Sequence, residues 1–283
     1  MNHIGTLYVV ATPIGNLQDI TLRALETLKT VDLIAAEDTR HSGGLLAHYA
    51  IQKKLLAVHE HNEHRSAEIL LERLQAGQSI ALITDAGTPG ISDPGAVVVD
   101  ILREAGVPVV PIPGASAVIA ALSASGITDN GFRFIGFLPA SSSQRKKQLQ
   151  AMQHDATTLV FYEAPHRVLE SVQDMAAVLG AERRITIARE LTKTFESFHR
   201  CPLGEAYDWL VADANRQRGE FVLLVEAAPP AEDEADAREA ERVLRLLLAD
   251  LPLKQAVKLA VEITGGKKNA LYQLALQLNE AQD

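Results

Sequence analysis

The sequence predicts an α/β protein of two fused α/β domains followed by a small helical domain, and three observations carry that expectation. Residues 5–115 alternate short β-rich runs with helical patterns, which implies a largely parallel sheet flanked by helices. A second α/β unit begins near Ser116, where two adjacent strand-like runs around Ile185 and Phe195 hint at a mixed or antiparallel sheet. Beyond Pro229-Pro230 the strand signal stops and only helical spacing remains. The expected division is 1–115, 116–228 and 229–283, the last holding a hinge and a helical domain.

In the first domain the strand runs are 7–11, 33–36, 55–58, 80–83 and 107–110. Between the first two, Leu22, Leu25 and Leu28 recur at helical spacing, and Asn62 starts a helix carrying Ile69, Leu70 and Leu74. Asp93-Pro94 reads as an N-cap and first-turn pair opening a helix through Val97, Val98, Ile101 and Leu102. The second domain offers strands at 132–138, 158–162, 185–188, 194–199 and 221–225. Pro229-Pro230 followed by Glu232, Asp233, Glu234 and Asp236 reads as a solvated hinge.

In the tail, Val243, Leu246 and Leu247 mark one helix, and Pro252 starts another carrying Ala256, Leu259 and Ala260. Gly265-Gly266 interrupts before Leu271 and Leu274 in a third. Helix, glycine turn, helix is the pattern of a helix-turn-helix, and of a docking or dimerisation tail equally. Charge favours the former, because Lys254, Lys258, Lys267 and Lys268 face only Glu262 between Leu251 and Leu278. A local basic patch meets phosphate even on a chain whose net charge is −9.

Composition narrows the classes. With Cys201 the only cysteine, an intramolecular disulfide and a thiolate metal cluster within one chain are excluded, and the cytosol is the expected compartment. The start of the sequence lacks a basic, signal-like apolar segment, and no apolar run approaches the roughly 20 residues of a membrane span, so neither export nor a membrane partner is expected. The turn after the first strand, Ala11-Thr12-Pro13-Ile14-Gly15-Asn16-Leu17, lacks the glycine spacing of a dinucleotide fold. Gly265-Gly266-Lys267-Lys268 is not a phosphate-binding loop, since Val261 stands where its first glycine belongs. In His59-Glu60-His61-Asn62-Glu63-His64, Glu63 occupies the place of the second histidine of a zinc helix, so the segment reads as a polar loop and no metal is expected.

The informative segment is 84–95, Thr-Asp-Ala-Gly-Thr-Pro-Gly-Ile-Ser-Asp-Pro-Gly, directly after the apolar run Ile80 to Ile83. Its glycines permit close backbone approach and its prolines fix φ, at the carboxyl end of a strand where open α/β sheets bind ligands. Other strand ends carry Glu37-Asp38-Thr39-Arg40, Pro113-Gly114-Ala115-Ser116, Tyr162-Glu163-Ala164-Pro165-His166-Arg167, Arg189-Glu190 and Arg218-Gly219-Glu220. Singly each fits an ordinary turn or ion pair; together they suit the walls of one small-molecule cleft.

With Arg189-Glu190-Leu191-Thr192-Lys193 this ordered set resembles the small-subunit ribosomal RNA methyltransferase I group of the tetrapyrrole-methylase-like superfamily, over nearly the whole chain. The resemblance implies S-adenosyl-L-methionine bound in a cleft between the two α/β domains, a homodimer, and 2′-O-methylation of a cytidine ribose in the decoding region of 16S ribosomal RNA in the small subunit. Gly87, Thr88, Pro89, Gly90 and Ile91 match the cofactor loop, with Thr88 where related methylases carry the Asp of Gly-Asp-Pro and with Asp85 nearby. Ser116, Ala117, Tyr162 and Glu163 match cofactor contacts, and Pro13 and Gly15 its floor.

A ribose hydroxyl needs a proton acceptor late in methyl transfer, for which Glu163, Glu190 and Asp85 are the candidate catalytic residues. Arg167, Arg189 and Lys193 are candidates for RNA phosphates, with Arg145-Lys146-Lys147 as a basic edge and the four tail lysines as a further RNA contact. Two other functions stay open on the residues alone. One is methylation of a tetrapyrrole or other small metabolite, and the other a ligand sensor whose tail binds DNA.

Overall fold

Continuous apolar runs such as Ile80-Ala81-Leu82-Ile83 suit strands covered on both faces, and the computed structural model, which describes residues 4–229 and 234–280, uses them so. Strands β1 (Leu7–Val10), β2 (Leu33–Ala36), β3 (Leu55–Ala57), β4 (Ile80–Ile83) and β5 (Val109–Ile112) form one sheet in the order β3-β2-β4-β1-β5. Every pairing in it is parallel. Helices α1 (Leu22–Thr30), α2 (Thr39–His48), α3 (Glu63–Gln75) and α4 (Ala96–Glu104) connect the strands. One face buries Leu7 and Leu82 against Leu70, Leu74 and Leu102, the other Val10, Ile34 and Ile83 against Leu28 and Leu46. Because the strands run parallel, the loops leaving β1, β2, β4 and β5 gather at one edge, and the site forms there.

Three local expectations shift. Helix α2 occupies the polar stretch after β2, with the Asp38 carboxylate accepting the amides of Arg40 and His41 as its cap. The fifth strand starts at Val109 rather than Val107, whose amide instead closes the end of α4 on the Leu102 carbonyl. Pro111 sits within that strand without loss, because β5 is an edge. Asp93 does not cap α4: Gly95 does, and the Glu63 carboxylate accepts the Gly95 amide at 2.6 Å.

After β5, α5 (Ala117–Ser125) leads to the second sheet, whose strands are β6 (Phe132–Phe137), β7 (Thr158–Glu163), β8 (Arg184–Arg189), β9 (Ser197–Pro202) and β10 (Phe221–Val225). Their order is β6-β7-β10-β8-β9, with β6 and β7 parallel and the other pairs antiparallel. Helices α6 (Ser142–Gln150), α7 (Val168–Leu179) and α8 (Leu203–Val211) belong to this half, and α7 and α8 cover one face, where Phe161, Ile187, Leu223 and the thiol of Cys201 are buried. The other face packs Val160, Ala188 and Leu224 against α5 and against Ile14 from the loop after β1. The strand expected at 194–199 begins only at Ser197, because Glu190 and Thr192 both hold positive φ (53° and 66°) and fold 190–196 into a turn.

The described residues up to Ala227 form one compact unit and those from Ala228 another. In the second, α9 (Glu234–Asp250), α10 (Leu253–Thr264) and α11 (Lys268–Glu280) share a core of Leu244, Val257, Ala260, Leu271 and Ala275. Gly265 ends α10 in the left-handed conformation, φ 69°, which glycine adopts without strain. Positions 230–233 of the expected hinge, including Pro230, Glu232 and Asp233, lie outside the described residues. Among the described residues no helix is long and apolar enough to cross a membrane.

Candidate active site

The loop after β4 is fixed from both sides. Thr12 and Gly87 exchange backbone hydrogen bonds (2.9 and 3.1 Å), and the Thr12 hydroxyl donates to the Thr84 carbonyl. The Thr88 hydroxyl donates to the Ala115 carbonyl at 3.1 Å, a bond that an aspartate carboxylate, lacking a proton, does not make. The loops leaving β1, β4 and β5 thereby become one rigid rim. Gly87 and Gly90 hold φ of 83° and 80°, and a Cβ on Gly87 would stand 3.2 Å from Ile14.

Behind the rim lies a cavity of about 310 Å³, within the range of small-molecule sites. Its walls come from both sheets: Ile14, Ala86, Gly87, Thr88 and Ile91 on one side, and Phe137, Tyr162, Glu163, Leu191 and Val222 on the other. Ser116 and Ala117, at the start of α5, close it. Of the expected cofactor contacts, the cavity gathers Gly87, Thr88, Ile91, Ser116, Ala117, Tyr162 and Glu163. Pro13, Gly15 and Asp85 are not in its wall. A Cβ on Gly15 would collide with the Thr192 and Lys193 side chains, and Asp85 accepts the Asp38 amide at 3.2 Å. The wall also holds Ile14, Phe137, Leu191, Val222 and Asp93, which sequence reasoning did not single out as contacts. The first four are apolar strand or loop residues with no distinguishing pattern, and the Asp93-Pro94 pair has the local form of a helix cap.

The three candidate proton acceptors are committed elsewhere. Glu163 is buried, its carboxylate taking the Ser171 hydroxyl at 2.5 Å and the Ala164 amide at 2.9 Å, with Arg167 Nε at 3.4 Å. Glu190 lies outside the cavity wall and binds the Lys193 ammonium (2.9 Å) and the Glu220 amide (3.0 Å). Against the cost of burial, those partners hold its carboxyl below the usual range, which weakens it as a base. Asp93, half-buried in the wall, has the opposite character: burial first, and the neighbouring Glu37 charge second, push its carboxyl up to about 6. The same burial and the Asp93 charge push the Tyr162 hydroxyl up to about 12, so it stays protonated as a donor.

The basic candidates divide. Arg145 is not part of an exposed basic edge: it is fully buried, donating to Asp174 at 2.6 Å and to the carbonyls of Pro139 and Ala140, because α6 lies against α7. Lys146 pairs with the same Asp174, while Lys147 is exposed. Arg189 is spent on the carbonyls of Arg218 and Phe195, Arg167 on the carbonyl of Leu138, and Lys193 on Glu190 and Glu220. Lys254, Lys258, Lys267 and Lys268 are all exposed.

A cavity between a parallel and a mixed sheet, rimmed by a glycine-proline loop, defines a class. Residues 6–207 match the family of tetrapyrrole (corrin/porphyrin) methylases, and residues 234–279 match the RsmI C-terminal HTH domain. The fold is also that of a uroporphyrin-III C-methyl transferase from Thermus thermophilus solved with S-adenyl homocysteine (TM-score 0.55, 19% identity, 78% of this chain and 97% of that one). Ribosomal RNA small subunit methyltransferase I of Escherichia coli O157:H7 is 55% identical over 98% of this chain and 96% of its own length, and its namesake in Pseudomonas aeruginosa 56% identical over 96% and 97%. The chain belongs to the family of ribosomal RNA small subunit methyltransferase I.

Proposed function

We propose that the protein transfers the methyl group of S-adenosylmethionine to the 2′-hydroxyl of a cytidine ribose in the decoding region of 16S ribosomal RNA, within the small subunit. The observation that carries this reading is the cavity into which the β1 and β4 loops, the start of α5 and the end of β7 converge. Its residues fit the donor: apolar Ile14, Ala86, Leu191 and Val222 accept an adenosyl group, and Ser116 and Tyr162 supply polar groups beside it. The donor supplies an electrophilic methyl carbon. The chain's own part is to hold two substrates in line, and a rim stapled by Thr12, Gly87 and Thr88 is suited to that task.

In this reading Gly87, Thr88, Ile91, Ser116, Ala117 and Tyr162 contact the donor, while Glu163 stiffens the end of β7. Lys147 and the exposed lysines of the helical unit meet RNA phosphates, which fix orientation without reading sequence. The protein acts in the cytoplasm as a homodimer; the exposed Phe195, 72% accessible, and the exposed Phe198 near it in sequence support a second copy covering this face. The test is transfer of labelled methyl groups from S-adenosylmethionine to purified small subunits, followed by mass spectrometry of the RNA. One new cytidine ribose methyl is the expected product, and no transfer to RNA or subunits overturns the reading.

A further inference from the structure

The methyl-transfer reading leaves the proton of the ribose hydroxyl without an acceptor, since Glu163 and Glu190 are held by other groups and Asp85 lies outside the cavity wall. Asp93 stands where that acceptor belongs. It lines the donor cavity and also an adjoining cleft of about 570 Å³ walled by Glu37, His59, His61, Glu63 and Pro94, so this one residue borders both spaces.

The backbone around Asp93 is constrained. Ser92 holds φ at 62°, a conformation that costs a non-glycine residue about 1 kcal/mol or more. Its hydroxyl occupies the space that a Cβ on Gly136, in the irregular part of β6, would fill (2.7 Å), so the second sheet braces this loop. On the other side Glu63 ties down Gly95. Strain retained beside a cavity and anchored at both ends indicates a side chain whose position matters.

Resting on the methyl-transfer reading, we propose that Asp93 is the general base of the reaction. The ribose oxygen forms a bond to the methyl carbon as the carbon–sulfur bond breaks. The sulfonium leaves as a neutral thioether, and the hydroxyl proton passes to the Asp93 carboxylate and from there to solvent through the second cleft. The charges facing Asp93 suit the role. Glu37 and Asp85 raise its proton affinity from the β2 and β4 ends, Tyr162 faces it across the cavity, Thr84 favours its ionised form, and no lysine or arginine contributes among these neighbours. A carboxyl titrating near 6 is ionised at neutral pH and more basic than an ordinary aspartate.

The test compares wild type, Asp93→Asn and Asp93→Glu in single-turnover methyl transfer to small subunits across the pH range of the Asp93 titration, with donor affinity measured by calorimetry. The expected wild-type rate rises with pH to a plateau above about 6. Asp93→Asn is expected to bind donor within threefold of wild type (~3, a margin set by assay scatter) yet to react at least ~100-fold more slowly, without the acidic limb; Asp93→Glu regains part of the rate. An Asp93→Asn enzyme within tenfold (~10) of an active wild type, or one that keeps the acidic limb, overturns this assignment alone. A wild type without transfer overturns the methyltransferase reading and the assignment with it.

Discussion

The Glu63 carboxylate, in the first turn of α3, accepts the Gly95 amide at 2.6 Å, so one helix caps the next across 32 residues of sequence. Replacing Glu63 by Ala removes a charge-assisted cap, and the expected loss is about 1–2 kcal/mol in urea unfolding. Donor affinity falls as well, because the Thr88 to Asp93 rim loses its anchor; calorimetric titration checks that.

Arg145 and Lys147, two residues apart, behave oppositely on mutation. Arg145→Ala takes from the buried Asp174 its closest cation, leaving only the exposed Lys146 and the Ser142 hydroxyl, and costs about 3 kcal/mol, read as a lowered midpoint of chemical unfolding. Lys147→Ala leaves the midpoint within about 0.5 kcal/mol of wild type and weakens subunit binding.

Gly87→Ala tests the rim. A side chain at φ 83° costs about 1–2 kcal/mol, and its Cβ would press on Ile14 at 3.2 Å. The expected outcome is weaker donor binding with RNA affinity unchanged, separable by titrating each ligand alone.

Asp93 also governs stability with pH. Its folded pKa, about 6, lies above the ordinary aspartate value of 3.8, so the folded state holds the proton more tightly than the unfolded chain. The stability contributed by the protonated group is whole below about 3.8 and lost as pH rises through about 6. Asp93→Asn therefore stabilises the protein at pH values above 6, by about 1–2 kcal/mol once solvent screening of a half-buried group is allowed for, and brings no gain below the lower value. Thermal melts at the two extremes compare the variants. Asp174 works the other way: against the cost of burial, bonds from Arg145, Ser142 and Lys146 depress its pKa, so its contribution is present above about 3.8 and fades in stronger acid.

The tail lysines are expected to act through charge. Lys254→Ala with Lys258→Ala lowers RNA affinity equally for matched and scrambled sequences and flattens the dependence of log K on log salt by roughly 0.7–0.9 per lost phosphate contact. Binding measured at several salt concentrations supplies the slope.

Where one element is decided by its own residues, the sequence was readable. Ile80 to Ile83 and Phe221 to Val225 are apolar throughout because both faces of each strand are covered, and they fall where expected. Helix α2 escaped notice because Gly43 and Gly44 interrupt its periodicity, and what starts it is the Asp38 cap. The remaining departures have distant causes. Asp93-Pro94 has the local form of a helix start, but the carboxylate that accepts the first amide of α4's cap sits on another helix. Arg145-Lys146-Lys147 looks like a solvated face until Asp174, 29 residues from Arg145, is brought beneath it. In the cavity, polar and glycine residues announced one wall through their motifs, whereas Phe137, Leu191 and Val222 of the other are ordinary apolar residues that only the meeting of two sheets selects.

Cys201, 5% accessible under α8, has its thiol pushed up to about 11 by burial and by the Glu205 charge. Too little thiolate is present at neutral pH, and too little of it is reachable, for maleimides or mild oxidants to react. The native molecule thus tolerates air without reductant, and a cysteine introduced at the exposed Lys267 takes a fluorophore selectively with the natural thiol left in place.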